Sequence, residues 1–180
     1  MDLKSRITEL SEKYKEDMVN FLLDMIRIPS LSGKEEKIAL RIKREMEKVG
    51  FDEVFIDRLG NVIGRIGEGR KIIAVDAHMD TADIGDKELW LINPYEGIIS
   101  DGIIYGRGAA DQKGGIASII YGGKIIKELG LEDDYTLYII GTVMKEEGDG
   151  LAWQYIINED SIKPDFVVIT EPTNLNIYRA

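Results

Sequence analysis

Cysteine is absent from the 180 residues, and histidine occurs once. The first absence excludes a disulfide framework and any thiolate metal site. The second leaves one imidazole, His78, for any chemistry that needs one. Basic residues are in deficit: 23 Lys and Arg stand against 33 Asp and Glu, a formal charge of −10. No dense basic cluster offsets that balance, and phosphate contacts require one, so nucleic acid is not an expected partner. No apolar run approaches the roughly 20 residues that span a bilayer. The N-terminal MDLKSRITELSEKYKED is charged and amphipathic, without the apolar centre of a signal peptide. A cytoplasmic chain with no membrane partner is the resulting expectation.

What is present is an ordinary globular composition, 44% hydrophobic and 31% charged, on a chain long enough for one domain and short for two. Residues 3–27 repeat apolar side chains at spacings of three and four, which predicts a helix ended by Pro29. LSGKEEK reads as a loop with Ser32 as a helix cap, and a second helix runs to Gly50. VFIDRLGNVIGRI predicts a hairpin through Leu59-Gly60-Asn61, and EGIISDGIIYGRG a second one at Asp101-Gly102. KIIAVDAH, YTLYIIGTVM and DFVVITEP read as buried strands. Helices are expected after Asp111, up to Gly130, and over GDGLAWQYIINED, and NLNIYRA is a candidate last strand. Strands alternating with helices predict an α/β fold, a three-layer α/β/α sandwich on a mixed, largely parallel sheet. With no repeat and no linker, residues 1–180 are expected to form one domain.

Chemistry in such sheets collects at the carboxyl ends of the strands. His78, Asp111, the pair Glu146-Glu147 and Glu171 all follow apolar runs. Taken singly each has a plain reading: a packing histidine, a helix N-cap, two solvated glutamates, a Glu-Pro turn. Together they point to a cation site. Glycines surround Asp111 in YGRGAADQKGG and follow the glutamates in MKEEGDG, freeing the backbone to turn sharply. Two neighbouring glutamates repel unless a cation neutralises them. Asn93, Trp90 and the PYEG stretch are candidates for lining the mouth of the site, with packing an equal alternative for Trp90. A magnesium enzyme acting on phosphate esters is disfavoured, because GRGAADQKGG lacks the Gly-Lys-Ser/Thr ending of a phosphate-binding loop.

HMD at 78–80, DGIIYGRGAADQKGG at 101–115, KEEGDG at 145–150 and TEPT at 170–173 resemble the M20 family of metal-dependent aminoacylases and carboxypeptidases. Within it the chain is most similar to the acetylornithine deacetylase and succinyl-diaminopimelate desuccinylase group, over nearly its whole length. The resemblance implies zinc, with cobalt or manganese as substitutes, at a two-metal site. It implies His78 and Glu171 on one ion, Asp111 bridging and Glu147 on the second ion. It makes Glu146 the general base and Asp80 the residue that orients the His78 ring. Asp76 and Asp83 match no role and are expected in solvent. The implied activity is amide hydrolysis of an N-acyl amino acid or small-peptide substrate.

The family's catalytic domain is interrupted by a smaller lid domain, and its returning part brings a second histidine, which this chain lacks. Three readings follow: the N-terminal portion of a longer enzyme, a non-catalytic metal-binding or interaction module, or a half completed by a second polypeptide. The first is preferred, because every motif that can be present is intact. Little activity is expected from the chain alone. A sheet edge and helices left uncovered predict self-association.

Overall fold

The structure is a computed structural model and describes residues 2–179. Helix α1, Leu3–Ile26, starts where the Asp2 carboxylate accepts the Ser5 N–H at 2.8 Å. Only its C-terminal half is buried, through Phe21, Leu22, Leu23, Met25 and Ile26, and Leu3 and Ile7 remain exposed. Helix α2, Glu36–Val49, buries Ile38, Ala39, Ile42, Glu45, Met46 and Val49, one stripe at helical spacing. Gly50 ends it in the left-handed conformation at φ 89°, where a side chain would be strained. Ser32 is not its cap. The Ser32 hydroxyl donates instead to Asp80 Oδ2 at 2.7 Å, and the helix begins four residues later without a side-chain cap.

Strands β1, Glu53–Ile56, and β2, Val62–Ile66, form the first hairpin. Strand β3 is Lys71–His78, and β4, Ile98–Ser100, with β5, Ile103–Tyr105, forms a separate two-stranded hairpin. Helix α3 spans Gly114–Leu129, β6 Tyr135–Thr142, α4 Leu151–Asn158 and β7 Phe166–Ile169. The main sheet has the order β1-β2-β6-β3-β7. Pairings of β3 with β6 and with β7 are parallel, and those of β2 with β1 and with β6 are antiparallel. The sheet is therefore mixed, and the candidate site lies at the end of its parallel part.

Alternation along β3 and β6 divides the core into two. Ala77, Leu137 and Ile139, with half-buried Ile73 and Val75, pack beneath α1, α2 and α3. On the opposite face Ala74, Ile140 and Ile63 pack with Ile156 of α4, Ile162 and half-buried Trp153. This gives the three layers, the second face covered, among the described residues, by one eight-residue helix and by Ile162 of the segment after it. β7 ends the sheet, and all four of its residues are exposed, Phe166 by 63%. The stretch NLNIYR forms no strand over the described residues 174–179. Asn174 and Leu175 turn the chain with φ of 52° and 61°, and the Asn176 side chain folds back to the Thr173 carbonyl at 3.0 Å.

Candidate metal centre

Strand pairing fixes the first residue of the site. His78 is the last residue of β3, in register with Thr142 at the end of β6. Its ring is 98% buried, with Nδ1 2.9 Å from the Asp80 main-chain oxygen and 3.4 Å from Asp80 Oδ1. Nε2 faces the other way, 2.9 Å from Asp111 Oδ1. Burial works against the imidazolium, but Asp80 and then Asp111 outweigh it and raise the pKa of His78 above its ordinary value.

Asp80 is fully buried and saturated with donors. Its carboxylate receives the Ser32 hydroxyl and the main-chain N–H groups of Lys145 and Glu146, at 2.7, 3.1 and 2.9 Å. Burial pushes its pKa up, while the His78 ring, Ser32 and these two amides pull it down to about 2. It therefore stays ionised across the neutral range.

Asp111 does not follow a strand of the main sheet. It lies on a wide, irregular turn, Ala109–Lys113, between the β4–β5 hairpin and α3. Asp111 caps no helix: Lys113 holds the cap position of α3 with no side-chain capping bond, and Asp111 itself lies inside the turn with φ −119° and ψ 98°. Gly108 opens the turn at φ 78°, where a Cβ would come within 2.8 Å of the Thr81 methyl. Lys113 closes the turn, and its buried ammonium donates to the carbonyls of Met25 and Ile28 at 3.0 and 2.9 Å. The end of α1 and the Asp111 turn are thus fastened to each other.

His78, Asp111 and Glu146 each offer a ligand atom, all within 4.8 Å of one another. One nitrogen and two carboxylates from a strand end, a turn and a loop suit a divalent cation such as zinc, manganese or cobalt. The burial of His78 against two exposed acids gives the group a closed floor and an open side. Glu147 is exposed and outside this group of three, and half-buried Glu171 is outside it as well. Glu171 Oε1 lies instead 3.3 Å from the Lys145 ammonium. Burial lowers the pKa of Lys145, but its bond to Glu171 prevails and raises it.

Asp76, expected in solvent, is 95% buried. Its carboxylate accepts the Thr142 hydroxyl at 2.9 Å and the Trp153 indole N–H at 2.8 Å, tying β3, β6 and α4 together. The signal was its place two residues before His78, since i and i+2 share one face of a strand. Asp83 is exposed, as expected, and accepts the Gly85 N–H. Trp90 takes the packing alternative: its N–H donates to the Ile84 carbonyl at 2.9 Å, and Arg107 stacks on its ring. Asn93 caps its own turn through the Tyr95 N–H. No helix among the described residues is long and apolar enough to cross a membrane.

The Escherichia coli K12 protein named YgeY is 56% identical over 173 residues, covering 96% of this chain and 43% of that protein. An uncharacterised metallohydrolase of Methanocaldococcus jannaschii, MJ0457, is 33% identical over 87% of this chain and 44% of its own length. The chain thus spans less than half the length of these relatives. Among solved structures, the di-peptidase Dug1p from Saccharomyces cerevisiae superposes with a TM-score of 0.79 at 22% identity, over 93% of this chain and 40% of that one. That likeness carries the α/β fold. Residues 74–179 match the sequence model of peptidase family M20/M25/M40. A match running through more than half of the sequence, from the strand of His78 past Glu171, makes the chain a member of peptidase family M20/M25/M40.

Proposed function

We propose that this chain is the N-terminal, metal-binding portion of a hydrolase that cleaves amide bonds in N-acyl amino acids or small peptides. The observation that carries the reading is the convergence of His78, Asp111 and Glu146 at the carboxyl end of the parallel strands. Zinc is the proposed ion, and His78, Asp111, Glu147 and Glu171 are its proposed ligands in the complete site. A bound divalent ion supplies Lewis acidity toward an acyl carbonyl and makes a water acidic enough to ionise near neutral pH.

The chain's own residues supply the rest. Asp80 holds the His78 ring by the Nδ1 side, so that Nε2 faces the ligand side. Glu146 is the proposed proton acceptor from the attacking water and then donor to the departing amine, work typically worth about 10²–10⁴ in rate. Buried His78 and exposed Glu146 and Asp111 leave the reacting side open to substrate. The second histidine that the resemblance calls for would come from elsewhere, by continuation of the chain or from a second polypeptide.

A binding-only reading has one observation in its favour. Glu171 is engaged by Lys145, and Glu147 stands apart from the other three residues. The two readings part at Glu146. In the longest form of the protein that contains this chain, loaded with zinc, a panel of N-acetyl amino acids and dipeptides should be hydrolysed. Glu146→Gln should abolish turnover while leaving zinc stoichiometry intact. Turnover that survives Glu146→Gln removes Glu146 from the role of base. Full zinc binding with no turnover on any panel member favours the binding module.

A further inference from the structure

Past Thr142 the pairing of β6 with its neighbours stops, yet the next four main-chain amides are not left to water. The Val143 N–H donates to Asn61 Oδ1 at 3.0 Å and the Met144 N–H to Glu35 Oε1 at 2.9 Å. The Lys145 and Glu146 N–H groups donate to the two oxygens of Asp80 at 3.1 and 2.9 Å. Each acceptor comes from a different part of the chain. All three are buried, with Asn61 and Asp80 fully enclosed and Glu35 5% exposed.

Met144 sits at φ 57°, a conformation that non-glycine residues adopt at a cost. It persists only where surrounding contacts fix it, and here they do. The turn it makes points the chain so that Glu146 meets His78 and Asp111.

Glu35 occupies the N-cap position of α2 but makes no capping bond to its own helix. Its carboxylate goes to Met144 instead. Asn61 is oriented for its part by Asp57, which accepts the Asn61 main-chain N–H at 2.9 Å and its side-chain NH₂ at 2.7 Å. The amide oxygen of Asn61 is thereby turned toward Val143.

We infer that Glu35 is a positioning residue: with Asn61 and Asp80 it clamps the backbone of 143–146 and sets the direction in which Glu146 presents its carboxylate. The clamp stands on these contacts, and its consequence for chemistry rests on the role proposed for Glu146. Glu35 has no direct part in any reaction. It acts through one backbone amide.

The test is amide hydrogen exchange by NMR on the labelled chain, comparing wild type, Glu35→Ala, Glu35→Gln and, as a core control in the same helix, Ile42→Val. Glu35→Ala should speed exchange at Met144, Lys145 and Glu146 by about tenfold or more relative to the amides of β3 and β6. Glu35→Gln, whose amide oxygen can accept the same N–H, should stay near wild type. Ile42→Val should leave the ratio unchanged. Glu35→Asp, one methylene short, replaces the alanine variant if that does not fold.

Unchanged exchange at 144–146 in Glu35→Ala overturns the clamp, as does a rise that merely follows the core amides. Glu35→Gln behaving like the alanine variant overturns it too. His78 is the only histidine, so its ring signals report the site without ambiguity. Glu147, a proposed zinc ligand, directly follows the clamped backbone, so zinc added in steps should move the ring signals with a midpoint about threefold or more weaker in Glu35→Ala. Equal midpoints overturn the claim that the clamp turns the Glu146-Glu147 carboxylates toward the site. If zinc moves the His78 signals in no variant, the metal-centre reading fails, while the exchange data still decide the clamp.

Discussion

The Lys145 ammonium stands 3.3 Å from Glu171 Oε1, so a carboxylate expected on a metal ion is matched by a cation of the chain itself. Both side chains are about a third exposed, which limits the pair to roughly 0.2–1 kcal/mol. Lys145→Met should therefore free Glu171 and remove a nearby positive charge. Zinc affinity, measured by competition with a chromophoric chelator, should rise about two- to fivefold. An unchanged or weaker affinity would show that Lys145 does not hold Glu171 back.

Asp80 gives the chain a specific acid sensitivity. Its pKa lies at about 2, below the ordinary aspartate value of 3.8, because the folded state stabilises the carboxylate. A lowered folded pKa contributes stability that is complete above pH 4 and lost as pH falls toward 2. The contribution is on the order of 2 kcal/mol. Urea midpoints of the metal-free protein should show Asp80→Asn less stable than wild type at pH 6. The gap should close between pH 4 and pH 2. A gap that stays constant with pH would assign the loss to packing.

Asp76 is a second buried carboxylate with a different task. Burial raises its pKa, against the pull of the Trp153 and Thr142 bonds. Asp76→Ala leaves the indole N–H and the Thr142 hydroxyl without a partner and should cost about 1–3 kcal/mol. Trp153 fluorescence followed through urea unfolding measures this. A cost below about 0.5 kcal/mol would mean that solvent replaces the carboxylate easily.

The β7 edge should drive self-association. Phe166, Val167, Val168 and Ile169 are exposed on a strand that, among the described residues, pairs on one side only, with β3. Sedimentation velocity should show a species larger than the monomer that grows with concentration, and Val168→Lys should suppress it. A clean monomer across the concentration range contradicts this expectation.

Much of this was legible in the residues. Helix ends at Gly50 and Gly130, both hairpin turns and the buried strands β3 and β6 follow from spacing and turn chemistry, and the chain folds accordingly, whereas DFVVITEP forms a strand, β7, that is exposed rather than buried. His78 could be singled out as the one imidazole at the end of an apolar run, and Asp111 and Glu146 because they follow apolar runs with glycines close by. What the sequence hid is the set of long-range polar partners. Asp76 reads as solvated until Trp153, 77 residues on, is seen above it. Ser32 reads as a helix cap until Asp80 is found to hold its hydroxyl. Glu35 serves a backbone amide 109 residues away, and no local pattern encodes that distance. Local propensity and periodicity report short-range physics, whereas these contacts exist only once the sheet has been assembled.

The most direct measurement is a calorimetric zinc titration of the metal-free chain, with His78→Ala beside it. The wild type should bind zinc at one or more sites per chain, and His78→Ala should lose that binding. A wild type that binds no zinc, or a His78→Ala variant that binds it equally well, would contradict a metal centre built on this histidine.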